Sequence, residues 1–80
     1  MTAIEERVIK VITKELRMKQ GTVTLESKFR EDLGTDSLDA LEIVVALEDA
    51  FRMEMPTTTH EKIITVKDAV DAVLEFTKKR

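Results

Sequence analysis

The apolar residues of this chain recur three or four positions apart in three separate segments, and this spacing constrains the fold more than any other feature. The first segment, 3–18, contains Ile4, Val8, Val11, Ile12 and Leu16, and comparable repeats run over 37–51 and 66–78. Such spacing is typical of amphipathic helices. Two glycines and one proline among 80 residues leave few positions that would interrupt them. We predict an all-α fold: a small antiparallel helical bundle of three main helices plus one short helix, with a long first loop.

Capping patterns give the expected starts of the first and last helices. Thr2 precedes the first helix, and Glu5 three residues later completes a capping box. Thr65 and Asp68 form a weaker version of the same pattern before a last helix that we expect to end near residue 78. No segment shows a convincing β pattern.

The connection from 22 to 36 is long for so small a protein. Gly21 lies where we expect the first helix to stop, and Gly34 permits a sharp turn. A free loop of this length is unusual in a small domain. We therefore predict that its spaced apolar residues pin it across the bundle: Val23, Leu25, Phe29 and Leu33. Asp36 is a candidate cap for the second helix, and Pro56 prevents that helix from continuing. A short helical turn is expected over 57–61.

The acidic residues are concentrated in one part of the chain. From Glu31 to Glu54 there are eight acids and one base, Arg52, so this segment has a net charge of −7 although the whole chain has −3. The remainder is net positive, and its basic end at 78–80 suits the negative end of the last helix. A concentrated acidic segment repels nucleic acid and favours basic protein partners.

Composition excludes several classes of protein. The chain is long enough for one domain, 1–80. It has no cysteine, which excludes a disulfide, a thiolate metal site and a cysteine nucleophile. The acids lack the spacing of a calcium-binding loop, so we predict no metal site. There is no signal-peptide pattern and no apolar run of about 20 residues. We expect a cytoplasmic monomer without nucleic-acid or membrane partners.

The predicted second helix carries two apolar stripes. The wider one, suited to the core, contains Ala40, Ile43, Val44, Leu47 and Phe51. The other contains Leu38, Leu41 and Val45, and it is flanked by Glu42, Glu48 and Asp49. Burying both stripes would also bury carboxylates, which is unfavourable. We interpret the second stripe as a recognition surface, with apolar contacts and charges that steer a partner. The alternative is a central helix that is buried on most sides.

A resemblance emerges from the start of this helix. Asp36 followed by Ser37 would by itself indicate ordinary capping. However, the run 32–39, DLGTDSLD, resembles the phosphopantetheine attachment motif of acyl carrier proteins. The runs 41–44 (LEIV), 46–51 (ALEDAF) and 61–66 (EKIITV) are similar to later parts of that family, and Val23 and Phe29 fall at its loop anchors. The resemblance covers essentially the full chain.

The resemblance implies specific roles. Ser37 would carry 4′-phosphopantetheine, attached by a phosphopantetheinyl transferase, with Asp36 and Leu38 beside it. Acyl groups would be carried as thioesters on the thiol of the cofactor, and the chain itself would not be an enzyme. Acyl synthases, transferases or ligases with basic docking patches would bind Asp39, Leu41, Glu42, Val45, Glu48 and Asp49. An acyl cavity would be lined by Val44, Leu47, Ile63, Ala69 and Val73.

Two departures from fatty-acid carriers leave both fatty-acid biosynthesis and a specialised acyl or polyketide pathway open. Residues 57–60 read Thr-Thr-Thr-His where acids are common, and Arg52 interrupts the acidic helix end. Aminoacyl or peptidyl carriage and a structural adaptor role stay open. An enzyme would need a base near Ser37, yet His60 is the only imidazole and no nucleophile-elbow pattern surrounds the serine. We expect His60 to be a surface or half-buried residue.

Overall fold

The computed structural model describes residues 1–56 and 58–77. It contains four helices: α1 (Ala3–Glu15), α2 (Ser37–Phe51), α3 (Thr59–Lys62) and α4 (Val66–Thr77). The predicted all-α bundle, with three main helices, one short helix and a long first loop, is confirmed. Within the described ranges, the β pairing consists of one isolated bridge between Lys28 and Thr65. None of the helices described is long and apolar enough to cross a membrane. The predicted role of 78–80 lies outside the described residues, as does Thr57.

Three capping boxes fix the starts of the main helices. In each, a side-chain oxygen accepts the backbone N–H three residues later, and that later residue's carboxylate accepts the first residue's N–H. The pairs are Thr2 with Glu5, Asp36 with Asp39, and Thr65 with Asp68. The predicted caps are therefore confirmed. The hydrogen bond from Thr2 also lowers the pKa of Glu5 below its usual range.

The predicted end of α1 at Met18 is wrong, because the helix ends at Glu15. Arg17 adopts a left-handed backbone conformation, with φ of 55°. Its N–H donates to the Lys14 carbonyl at 3.2 Å, and the Met18 N–H donates to the Thr13 carbonyl at 3.0 Å. This is a Schellman motif, which satisfies the last carbonyls and ends the helix before Gly21.

The long first loop is pinned as predicted. Val23, Phe29 and Leu33 are buried in the hydrophobic cluster, and Leu25 packs against it. Backbone hydrogen bonds also tie the loop to the start of α4, since the Val66 N–H donates to the Ser27 carbonyl at 3.0 Å. The loop is therefore an integral part of the packed core and is held in place by side chains and by backbone hydrogen bonds.

Helix α2 has one buried face and one exposed face. Ile43, Val44 and Leu47 are buried in the core. Leu38 is 62% exposed and Val45 is 53% exposed. The alternative of a helix buried on most sides is therefore excluded, and an apolar stripe faces solvent.

Contacts at the C-terminal end of α2 fix the direction in which α1 packs against α2. The Arg7 guanidinium donates to the Ala50 carbonyl at 2.6 Å and lies 4.9 Å from the centroid of the Phe51 ring. Because the start of α1 meets the end of α2, the two helices run antiparallel. The end of α1 consequently lies beside the first half of the exposed stripe.

Candidate functional site

The first turn of α2 leaves one hydroxyl uncommitted. The Asp36 carboxylate accepts the Asp39 N–H at 2.9 Å, so Asp36 is the helix cap. Ser37 is exposed, and its hydroxyl has no hydrogen-bond partner among the residues that the structure describes. Capping therefore explains Asp36 but gives no role to Ser37. An exposed, unbonded hydroxyl at the positive end of a helix is well placed to carry an anionic group.

A depression of about 470 Å³ lies beside Ser37. Its apolar wall consists of Phe29, Ala40, Ile63 and Ile64, and its polar rim includes Lys28, Arg30, Glu31, His60 and Glu61. The depression suits a flexible chain that has both apolar and hydrogen-bonding groups. Lys28 and Glu31 form an ion pair of 3.4 Å, but both are well exposed, so the pair contributes little stability.

The predicted recognition residues lie along one side of α2, but only some of their side chains are free of hydrogen bonds within the fold. Leu38, Leu41 and Val45 are all exposed, as are Glu42 and Asp49. Two further acids already serve the fold: Asp39 completes the α2 capping box, and Glu48 accepts the Met55 N–H at 2.8 Å. The structure brings the apolar stripe together with two uncommitted carboxylates.

The predicted acyl-cavity residues fall into two groups. Val44, Leu47, Ala69 and Val73 are buried in the packed core. Ile63 is partly buried and lines the depression beside Ser37. Their assignment to a cavity stays a prediction, with Ile63 positioned between the depression and the core.

Ile64 belongs to the site although the sequence interpretation did not select it. Its side chain is 63% exposed and lines the depression beside Ser37. Its N–H donates to the Asp68 carboxylate at 3.0 Å, and its carbonyl accepts the Phe29 N–H at 2.9 Å. With both backbone groups held, the side chain is presented outward. The available signal was an isoleucine just before the Thr65 cap, outside the register of α4.

His60 is half-buried on α3, within the range expected for it. Over 1–56 and 58–77, no group of three or more histidine or acidic side chains is placed to hold a metal ion.

Comparisons with known proteins agree with this geometry. The family model described as phosphopantetheine attachment site matches residues 6–73. The chain is similar to the apo doublet acyl carrier protein from prodigiosin biosynthesis, with 29% identity and a TM-score of 0.80. That match covers 91% of this chain and 35% of the doublet, so the chain spans about a third of its length. A candidate acyl carrier protein from Mycobacterium tuberculosis is 32% identical, with a TM-score of 0.82, over 91% of this chain and 97% of that one.

Proposed function

The chain belongs to the acyl carrier protein family, and on that premise we propose that Ser37 is the attachment point of its 4′-phosphopantetheine. One observation carries the proposal. Asp36 caps α2 by itself, which leaves the exposed Ser37 hydroxyl without a role in the fold. The only other serine, Ser27, is buried and accepts the Thr24 N–H at 3.0 Å.

The residues around Ser37 fit such a group. The Ser37 hydroxyl would give up its proton and form the ester bond to the phosphopantetheine phosphorus of coenzyme A, while the pyrophosphate bond of coenzyme A breaks and adenosine 3′,5′-bisphosphate leaves. The capping box between Asp36 and Asp39 holds the first turn in place. The free N–H groups of this turn favour an anion there. When bound, the group supplies the thiol that the cysteine-free chain lacks and on which acyl cargo is carried.

The exposed stripe of α2 supplies the partner surface in this proposal. Leu38, Leu41 and Val45 offer apolar contact area, and Glu42 and Asp49 offer charge to basic patches on a phosphopantetheinyl transferase and on acyl synthases, transferases or ligases. Asp39 and Glu48 contribute charge while they hold the local fold.

The depression beside Ser37 offers an entrance for cargo. We propose that acyl groups pass Ile63 towards Val44 and Leu47 on α2, and towards Ala69 and Val73 on α4. Because these four residues are close-packed, α2 and α4 must separate slightly to admit a chain.

A specialised acyl pathway is favoured over broad fatty-acid synthesis. Arg52 is exposed at the end of α2, and Thr59 is buried within α3. Glu61 is the one acid of α3. The α3 surface therefore offers little negative charge to enzymes that recognise carriers by charge alone.

Intact-mass measurement tests the attachment site. Wild type, Ser37→Ala and Ser27→Ala are incubated with coenzyme A, magnesium and a broad-specificity phosphopantetheinyl transferase. We expect wild type and Ser27→Ala to gain the mass of one phosphopantetheine and Ser37→Ala to gain none. Loading of Ser37→Ala, or no loading of wild type by a transferase active on a control carrier, would refute the proposal.

Cargo class is tested on the loaded protein. Acceptance of malonyl or longer acyl groups in preference to amino acids supports an acyl carrier. Preferential aminoacylation would instead identify an aminoacyl or peptidyl carrier.

A further inference from the structure

A groove between α1 and α2 borders the exposed stripe on the side away from α3. Leu41 and Val45 form its outer apolar edge. Its floor contains the half-buried Ala46 and Ala50, whose small side chains permit close approach by another element. Both walls are helical apart from Arg17, which follows α1 in the Schellman motif, so the groove offers no strand edge. Recognition here must come from side chains.

The two walls of the groove carry opposite charge. The α1 wall presents Lys14 and Arg17 with Glu15, a net charge of +1. The α2 wall presents Glu42 and Asp49, a net charge of −2. The acidic segment of the sequence is thus bordered in space by bases at and just beyond the end of α1. This juxtaposition arises because α1 and α2 run antiparallel.

The charged side chains of the two walls form no ion pairs within the described residues. Lys28 and Glu31 form the one ion pair among residues 1–56 and 58–77, so no base of the α1 wall is ion-paired with an acid of the α2 wall. Lys14, Arg17, Glu42 and Asp49 are all exposed. Opposite charges that face each other across an apolar floor without pairing remain available to a third element between them.

We propose that this groove docks an amphipathic helix of a partner enzyme, with acidic side chains along one flank and basic side chains along the other. The apolar stripe of that helix would lie on Leu41 and Val45. Its acids would face Lys14 and Arg17, and its bases would face the α2 wall. A partner with bases on both flanks would be repelled by the α1 wall, so the groove selects among partners. That the partner is an enzyme rests on the proposed carrier function.

The test uses two fluorescein-labelled, stapled helical peptides of about five turns. Both have the same leucine stripe. The mixed peptide has lysines on one flank and glutamates on the other, whereas the basic peptide has lysines on both. Binding is measured by fluorescence anisotropy at low salt, where surface charges act most strongly. Since neither peptide needs the Ser37 hydroxyl, this test can fail while attachment at Ser37 succeeds, and the reverse.

We expect wild type to bind the mixed peptide about fivefold more tightly than the basic peptide, the scale expected for two exposed charge contacts. Lys14→Glu combined with Arg17→Glu should reverse this order. Lys62→Glu with Lys67→Glu is the matched control, because it makes the same change in net charge at exposed positions of α3 and α4, outside the groove. The control pair should keep the wild-type preference.

Two results would overturn the proposal. One is a wild-type protein that binds the basic peptide as tightly as the mixed one. The other is a control pair that reverses the preference as fully as the groove pair, since net charge alone would then explain it. Circular dichroism confirms that each exposed double variant is folded.

Discussion

Replacing Leu47 with alanine and, separately, Leu38 with alanine removes the same three carbon atoms from opposite faces of α2. Leu47 is fully buried, and Leu38 is 62% exposed. Leucine and alanine have similar helix propensities, so neither change should unwind α2 directly. The pair isolates what burial contributes at each face.

The difference in burial predicts very different losses in the free energy of unfolding for the two variants. Each buried methylene is worth about 0.8 kcal/mol, so Leu47→Ala loses roughly 2.4 kcal/mol of transfer free energy. The cavity that remains raises the total to about 3–4 kcal/mol. Leu38 has only about two-fifths of its surface covered, and water fills the space it leaves, so its loss is below about 1 kcal/mol.

Urea unfolding followed by circular dichroism measures both values. Total stability for 80 residues is about 4–12 kcal/mol, so Leu47→Ala should remove a large fraction of it. Its melting temperature should fall by roughly 15–25 °C, against a few degrees for Leu38→Ala. Equal losses in the two variants, with unchanged denaturant slopes, would refute the assignment of one buried and one exposed face.

Two further predictions concern the helix caps. Asp68→Ala removes the acceptor of the Ile64 and Thr65 N–H groups. It should therefore lower the free energy of unfolding by about 1–2 kcal/mol in the same assay. Asp71→Ala, a substitution at an exposed position further along α4, is the control and should be near neutral. For Glu5→Gln, the stability difference from wild type should be present at neutral pH and disappear as pH falls through the lowered pKa of Glu5, because a carboxylate with a depressed folded-state pKa stabilises the fold only while it is ionised. A difference that is constant across that pH range would show that the ionised form of Glu5 has no special role in the capping box.

Local chemistry in the sequence was sufficient for most of the fold. Two capping boxes, at Thr2 and Thr65, and the cap at Asp36 could be predicted because a short side chain bonds a backbone group three residues away, whatever the rest of the protein does. The reciprocal bond from the Asp36 N–H to the Asp39 carboxylate was found only in the structure. The end of α1 could not be predicted in this way. Arg17 takes the left-handed conformation that glycine usually supplies, and the nearby Gly21 was the stronger local signal.

The candidate site likewise contains one residue that local sequence could identify and one that it could not. The run 32–39 identified Ser37, since it is contiguous in sequence and its resemblance to a family is specific. Ile64 was missed because its exposure depends on backbone hydrogen bonds to Phe29 and Asp68, and the first of these comes from a distant loop.

The helices, their caps, the two faces of α2 and the candidate serine could be identified from local sequence, because each of these depends on residues within one or two turns of each other. Which groups from separate segments meet depends instead on how the whole chain packs. Antiparallel packing brings Lys14 and Arg17 into the same groove as Glu42 and Asp49, and the fold of the long loop brings Ile64 beside Ser37. Such contacts join residues more than 20 positions apart, and their geometry is fixed only when the whole core packs.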